Sequence, residues 1–132
     1  MAVAVCIEAP RIIVRRIVAT DLAVPKGSIM MFSGAANTVV LSTGDNVPFA
    51  GIAIEEKLAT DTDVLTVGCA MDGVWSIDTD GGACAIGEMV NLTAANQVAL
   101  AVDTDFAQGS LVGKAEEAYV ATARLRIRLM GF

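Results

Sequence analysis

One pattern of strands and turns occurs twice along the chain, and it constrains the fold more than any other feature. The first copy spans residues 27–56 and the second spans residues 87–117. Each copy contains a glycine turn, a short apolar strand, an Ala-Ala-Asn turn, a second strand, a loop and a Gly-opened strand that ends in two glutamates. Loops absorb the small differences in spacing at little entropic cost. Because two copies are too few for a solenoid, the repeat predicts a compact β domain built from two related hairpin units.

Short β-branched segments separated by Gly, Pro and Asx residues continue this pattern outside the two copies. The Asp72-Gly73 dipeptide predicts a hairpin between the strands on either side of it. Residues 119–129 alternate strictly between an apolar face and a face with three arginines, which predicts a last strand, with a helical turn before residue 123 as the main rival. The other predicted strands are residues 11–18, 28–33, 38–42, 50–57, 63–71, 73–78, 88–93, 97–102 and 110–116.

This spacing predicts an all-β fold, a compact small barrel or sandwich with at most a short helical turn. A chain of 132 residues is long enough for one domain with its own core. We assign residues 1–10 to an N-terminal arm and residues 11–132 to a single β domain. No apolar run reaches the length of a transmembrane helix, and the N-terminus lacks the basic region of a signal peptide.

The cysteines predict a reducing compartment. Cys6, Cys69 and Cys84 are odd in number and show no Cys-x-x-Cys spacing, so we expect free thiols and synthesis in a cytoplasm.

The composition predicts surface shared with other subunits. Hydrophobic residues make up 55% of the chain and the mean hydropathy is +0.61, yet only 5% of residues are aromatic. Excess apolar content in a small protein indicates that some surface is buried against partners, whereas ligand pockets usually recruit aromatic walls. We therefore expect a homo-oligomer and no small-molecule substrate.

Charge is distributed unevenly along the chain. The net charge is −6, but residues 21–118 carry fourteen acidic side chains against three lysines, while every arginine lies in a terminal segment. The arginines either neutralise the acidic body within the chain or form a basic stripe that faces an acidic partner. The acidic body and the scarcity of aromatics disfavour nucleic acid as a partner. The candidate partner-contact residues are Arg11, Arg15, Arg16, Arg124, Arg126, Arg128 and, as an anchor, Trp75.

The side chains needed for catalysis are missing. The chain has no histidine, no Gly-x-Ser-x-Gly motif and no phosphate-binding glycine loop, which predicts that it is not an enzyme and uses no cofactor. Asp-Thr-Asp occurs at residues 61–63, 78–80 and 103–105, where we expect solvated turns rather than a metal site. The Glu-Glu pairs at residues 55–56 and 116–117 are interpreted as solvated strand ends, because adjacent strand residues point to opposite faces.

Four glycine-anchored motifs and a closing arginine-rich strand, in this order, resemble those of the small capsid decoration, or cement, proteins of tailed bacteriophages. The resemblance covers roughly residues 12–129, and none of its motifs is catalytic. The motifs are Gly44-Asp45-x-Val47-Pro-Phe-Ala-Gly51-Ile52-Ala53, Asp72-Gly73-Val74-Trp75, Ile86-Gly87-Glu88-x-Val90, Leu111-Val112-Gly113-Lys114-Ala115 and the closing Arg-x-Arg-x-Arg-Leu of residues 124–129.

This resemblance implies a β-rich subunit, commonly trimeric, that binds the outside of an assembled phage head and stabilises the lattice of the major capsid protein. Such a protein would be made in the host cytoplasm and reside on the capsid exterior, without membrane or nucleic-acid contact. Two alternatives remain open: a phage tail-tube, baseplate or adaptor subunit, and a small-molecule-binding β barrel.

Overall fold

The structure, a computed structural model, describes residues 3–44, 47–80, 82–102, 109–118 and 124–130. Eleven strands and no helix occur in these residues. The prediction of an all-β fold is therefore confirmed. The strands are β1 (Val5–Glu8), β2 (Ile13–Ile17), β3 (Ile29–Phe32), β4 (Val39–Leu41), β5 (Phe49–Ala53), β6 (Thr66–Ala70), β7 (Val74–Thr79), β8 (Met89–Ala94), β9 (Gln97–Leu100), β10 (Leu111–Ala115) and β11 (Arg124–Leu129).

The strands form two five-stranded units with the same topology, unit 1 (β2–β6) and unit 2 (β7–β11). The strand order is β2-β6-β5-β3-β4 in unit 1 and β7-β11-β10-β8-β9 in unit 2. Unit 2 closes into a barrel because β7 also pairs with β9 in parallel. Unit 1 repeats this closure with a single parallel bridge between Ile17 and Thr38. The repeat predicted as two hairpin units thus extends to five strands in each copy.

The register of strand pairing is repeated as closely as the strand order. Ile13–Ile17 pair with Ala70–Thr66 in unit 1, and Val74–Asp78 pair with Arg128–Arg124 in unit 2, both without a shift. A register shift interrupts the β3–β5 pairing after Met30 and recurs at the same place in the β8–β10 pairing. The strand residues paired in these ladders therefore have definable counterparts in the two units.

The two Ala-Ala-Asn turns occupy matching positions and share an unusual backbone conformation. Asn37 and Asn96 have φ of 53° and 56°, and they are the non-glycine residues with positive φ in the described part of the chain. Asparagine tolerates this left-handed conformation better than most residues. Asn96 also joins the units, because its Oδ1 accepts a hydrogen bond from the Ile29 backbone at 2.8 Å.

A glutamate secures the end of the fourth strand of each unit. The Oε1 atom of Glu55 accepts a hydrogen bond from the Gly68 backbone at 2.8 Å, and that of Glu117 accepts one from the Arg126 backbone at 3.1 Å. Gly68 and Arg126 are counterparts in the shared register. These two glutamates therefore bond across to the neighbouring strand, which the interpretation as solvated strand ends did not include.

Two hydrophobic clusters form the core. The smaller one fills unit 1 and contains Val24, Met30, Val39, Val67 and Cys69 among its residues. The larger one fills unit 2 and extends to the outer face of unit 1, where it includes Ile29, Phe49, Ile52 and Ala70. The outer face of unit 1 thus packs against unit 2, and the larger cluster joins the two units.

The Asp72-Gly73 turn exists, but the predicted hairpin is wrong. Gly73 has φ of 93°, as a turn glycine should. The strands it connects, β6 and β7, belong to different sheets, so the turn is the crossover between the units. Asp72 holds this crossover against the N-terminal segment, since its Oδ1 accepts hydrogen bonds from the backbones of Arg11 and Ile12, each at 2.8 Å. A local turn signal does not reveal which sheet the next strand joins.

The N-terminal arm contains a strand, and the last predicted strand is confirmed over its described part. Within the arm, Val5–Glu8 form β1, which pairs antiparallel with β7. The last strand is confirmed for residues 124–129, with alternate residues Leu125, Ile127 and Leu129 buried. Residues 119–123, where a helical turn was the rival, lie outside the described part of the chain.

Candidate interaction surface

The arginines do not form one continuous basic stripe. A stripe including Arg15 or Arg16 required the first and last predicted strands to be neighbours. Instead, β2 lies in unit 1 and β11 lies in unit 2, between β7 and β10. The two groups of arginines therefore occupy separate surfaces.

Arg15 and Arg16 are bonded within unit 1. Arg15 forms an ion pair with Glu55 at 2.8 Å and donates to the Thr66 hydroxyl at 3.1 Å. Arg16 points inwards, stacks 4.8 Å from the centre of the Phe32 ring and donates to Asn37 Oδ1 at 2.9 Å. The Arg15 charge is thus neutralised and the Arg16 guanidinium is hydrogen-bonded within the chain. These contacts support internal compensation over a partner contact for both residues.

Arg124 ties the N-terminal arm to unit 2. Its side chain pairs with Asp78 at 3.0 Å and donates to the backbone oxygens of Val3 and Ser76, each at 2.6 Å. The side chain is 30% exposed, so these charge-assisted bonds are partly shielded from water. Arg124 therefore acts as a clamp that holds the start of β1 against β7.

Replacing Arg124 by glutamine should loosen β1. The variant loses the ion pair and leaves the Val3 and Ser76 carbonyls without these donors, so we expect a stability loss of about 1–3 kcal/mol. Amide hydrogen exchange should accelerate by roughly tenfold or more in residues 3–8. Arg126→Gln is the matched control, since Arg126 is exposed on the same strand and has no side-chain partner among the described residues. Equal exchange in the two variants would contradict the clamp.

Arg126, Arg128 and Arg11 present positive charge to solvent. Arg128 bonds to Glu116 at 2.7 Å and to Glu8 at 3.2 Å, and the Glu116 contact raises the pKa of its guanidinium above the ordinary value. Arg126 and Arg11 are exposed and have no side-chain partner within the described ranges. These two residues are the predicted contacts whose charge has no partner among the side chains that the structure describes.

Trp75 lies in the core. It is 4% exposed, and its indole Nε1 donates to the Asp72 carbonyl at 3.1 Å. It lines a groove of about 650 Å³, together with Val3, Val5, Ile13 and Ile54.

Exposed apolar side chains are concentrated near the N-terminus and unit 1. We call this region the N-terminal apolar surface, which comprises Val5, Ile7, Ile12, Ile13, Ile17, Leu58, Val64 and Leu65, each 38–58% exposed. The β2–β6 pairing places Thr66 opposite Ile17, with Leu65 next to Thr66 in the chain, and the groove joins Val5 to Ile13. The other large exposed apolar residues are Ile86, Leu100 and Val102 of unit 2. Exposed apolar side chains grouped in this part of the fold mark a candidate surface for protein contact.

The thiols differ in accessibility. Cys69 and Cys84 are buried, and burial raises the pKa of the Cys69 thiol to about 11 and that of Cys84 above its ordinary value. Raised pKa values disfavour the reactive thiolate at neutral pH. Cys6 is exposed on β1 and is therefore the accessible thiol among the three.

The acidic turns show local bonding rather than a shared site. Asp61 accepts a hydrogen bond from the Leu58 backbone at 2.9 Å, Asp80 accepts one from the Gly82 backbone at 2.8 Å, and Asp78 pairs with Arg124. No cluster of three or more His, Cys, Asp or Glu side chains suited to a metal ion occurs in the described ranges. Residues 103–105 lie outside them.

Sequence reasoning found the arginines but missed the apolar surface. The composition indicated excess apolar area without locating it. The signal that could have located it is the run of β-branched residues from Ile12 to Ile17, in which apolar side chains occur on both faces of one short strand. A strand with two apolar faces is buried on both sides or meets a partner.

No protein-family model matches the chain, and no curated protein matches it either. Among the residues that the structure describes, no helix is long and apolar enough to cross a membrane.

Proposed function

We propose that the protein is a structural virion subunit that binds the outside of an assembled phage head and stabilises the lattice of the major capsid protein. The observation that carries this proposal is the N-terminal apolar surface on a doubled β body. A β body that carries such a group of exposed apolar side chains is suited to binding between neighbouring subunits. The order of glycine-anchored motifs, which resembles capsid decoration proteins, supports the same assignment.

The proposed mechanism is thermodynamic linkage. A protein that binds only the assembled, expanded lattice stabilises that lattice by its binding free energy at each site. At a free concentration one hundred times the dissociation constant, this contribution is about 2.7 kcal/mol per site. A homotrimer on the capsid exterior would engage several capsid subunits at once, which multiplies the effect.

The test uses heads assembled without this protein. Purified protein added to expanded heads should co-sediment to a saturating level and raise the temperature at which the heads release DNA. Unexpanded heads are the control and should bind less. Absence of binding to expanded heads would overturn the proposal, and polymerisation of the protein alone into rings or tubes would favour a tail-tube subunit instead.

Charge reversal at Arg126 tests whether the exposed guanidinium contributes to this contact. Because Arg126 has no side-chain partner in the described residues, Arg126→Glu should leave the fold intact while weakening head binding. Exposed pairs are worth about 0–1 kcal/mol, so the expected effect is up to roughly fivefold in affinity and decreases with salt. Unchanged occupancy at every salt concentration would mean that Arg126 is only solvated.

One observation favours a second candidate, a small-molecule-binding β domain. The groove lined by Val3, Val5, Ile13, Ile54 and Trp75 has a volume of about 650 Å³, within the range of ligand sites. A thermal-shift screen with apolar compounds would identify this function by a ligand that stabilises the protein at low micromolar concentration.

A further inference from the structure

Comparison of the two units shows that a strand position occupied by β1 in unit 2 has no described strand in unit 1. In unit 2, one edge of β7 has two neighbours. The parallel strand β9 covers Asp78 and Thr79, and the antiparallel strand β1 covers Val74–Ser76. The arm thus completes the part of this edge that β9 leaves uncovered.

The counterpart edge in unit 1 belongs to β2. The bridge to Thr38 covers Ile17, as β9 covers Asp78. Ile13–Arg15 correspond to Val74–Ser76, and among the described strands none pairs with them on this side. Unit 1 therefore has an uncovered edge segment of the length that β1 covers in unit 2.

The backbone groups of this segment point towards the open side. Ile17 donates its N–H to Asn37 rather than to β6, and the Arg15 carbonyl accepts a hydrogen bond from the Asn37 side chain at 3.2 Å. Ile12 bonds on the β6 side, through the Met71 N–H. Since orientation alternates along a strand, Ile13 N–H, Ile13 C=O and Arg15 N–H face away from β6. No described residue bonds to these three groups.

The side chains around the open edge are apolar and positively charged. Ile12 and Ile13 are 52% and 46% exposed. Arg11 and Arg15 flank Ile13 on the same face of the strand; Arg15 is already paired with Glu55, so Arg11 is the cation without a side-chain partner among the described residues. An incoming strand that fits this edge carries small apolar residues and a carboxylate.

We propose that residues 13–15 of β2 accept β1 of a second copy of the chain as an added strand. β1 then lies between β7 of its own chain and β2 of the neighbour. The chain itself supplies such a strand, because Val5 and Ile7 are 53% and 45% exposed and Glu8, although it contacts Arg128, keeps 60% of its side chain exposed. In the described residues β1 pairs only with β7, so its second edge carries no strand.

Each copy offers one donor strand and one acceptor edge, so the numbers of strands and edges match. A contact between two different surfaces is heterologous, and it closes into a ring when the rotation between copies permits. This inference rests on the proposed function only for the number of copies, three. The strand addition itself would hold for any closed ring.

The first experiment measures oligomeric state by sedimentation velocity across a range of concentrations. Ile13→Lys places a charge at the open edge, a substitution that blocks strand addition. We expect its dissociation constant for self-assembly to rise at least tenfold. Ile86→Lys is the matched control, because Ile86 is 69% exposed in unit 2 and lies outside the N-terminal apolar surface. It should assemble like the unaltered chain.

The second experiment tests the strand contact directly and does not depend on the stability of Ile13→Lys. The donor is the unaltered chain, which carries the exposed Cys6 on β1. Each acceptor lacks this thiol (Cys6→Ser) and carries a tag, so that a donor–acceptor link is recognised by its size. The acceptors carry Ile12→Cys, Ile13→Cys or Arg15→Cys to scan the register of pairing. Mild oxidation should link donor to at least one acceptor, because paired strands bring side chains within disulfide range. A Cys6→Ser/Ile86→Cys acceptor should give no link.

The outcomes separate this inference from the proposed function. Assembly without a link in any acceptor would overturn strand addition and leave head binding untouched. A chain that stays monomeric and unlinked at millimolar concentration would also overturn it. A specific link in a protein that fails to bind heads would support strand addition and remove the proposed function.

Discussion

Replacing Gly113 by alanine should destabilise the protein more than any other single-methyl change. A Cβ at this position would overlap the Arg128 carbonyl oxygen, and it would lie 2.8 Å from the Arg128 carbonyl carbon and 3.0 Å from the Leu129 Cα. All three atoms belong to the backbone of the neighbouring strand, which a rotamer change does not move. We expect a loss of more than about 3 kcal/mol, or failure to fold.

The shift required by Gly113→Ala would spread through unit 2. Gly113 pairs with Leu129 on β11, and β11 also pairs with β7 along its length. The measurement is urea unfolding followed by the fluorescence of Trp75, the single tryptophan and a core residue. Gly44→Ala is the control, since nothing lies within 4 Å of its Cβ. Similar unfolding midpoints for the two variants would show that β10 and β11 separate easily.

Lys57→Met should give the second large effect. Lys57 is 1% exposed, and its Nζ donates to the carbonyl oxygens of Thr20, Leu22 and Leu58 at 2.8, 2.9 and 3.3 Å. Methionine keeps most of the side-chain volume but donates no hydrogen bond, so three carbonyls lose a charged donor. We expect a loss of about 2–4 kcal/mol in the free energy of unfolding.

The control for Lys57 is Lys114→Met, on the exposed face of β10. A surface lysine away from special contacts should change stability by less than about 0.5 kcal/mol. If both variants unfold at the same urea concentration, water replaces the ammonium at no cost and Lys57 is not a structural anchor. Hydrogen exchange at Val24, which exchanges two backbone bonds with Lys57, would report the local effect.

The fold was predictable wherever the sequence carries a local signal with a single structural meaning. β-branched segments such as Ile13–Ile17 formed strands, and Leu125, Ile127 and Leu129 are buried as their alternation indicated. The two Ala-Ala-Asn turns revealed the repeat, because a turn position with positive φ favours asparagine and can therefore be recognised in the sequence. These features depend on neighbours in the chain, and sequence shows such neighbours directly.

The features that were missed depend on residues far apart in sequence. Asp72-Gly73 is a true turn, but its strands diverge because Asp72 bonds to Arg11 and Ile12. Arg16 occupies the position that the buried Ile77 has in unit 2. Sequence alternation alone does not distinguish such an inward-facing arginine from a solvent-facing one. The buried ammonium of Lys57 bonds to the carbonyls of Thr20 and Leu22, which are distant in sequence, and no local pattern indicates that environment.

The strand order of unit 2 also determines when the protein can fold during its synthesis. Because β11 lies between β7 and β10, unit 2 stays open until residues 124–129 have left the ribosome. At about 5–20 residues per second, the strands from residue 74 onwards wait roughly 3–10 s for their last partner. Unit 1 is complete once β6 is made, but its outer face at Ile29, Ile52 and Ala70 remains uncovered over the same interval. The period of greatest aggregation risk therefore falls in the second half of translation, and slowing the ribosome after residue 115 would lengthen it.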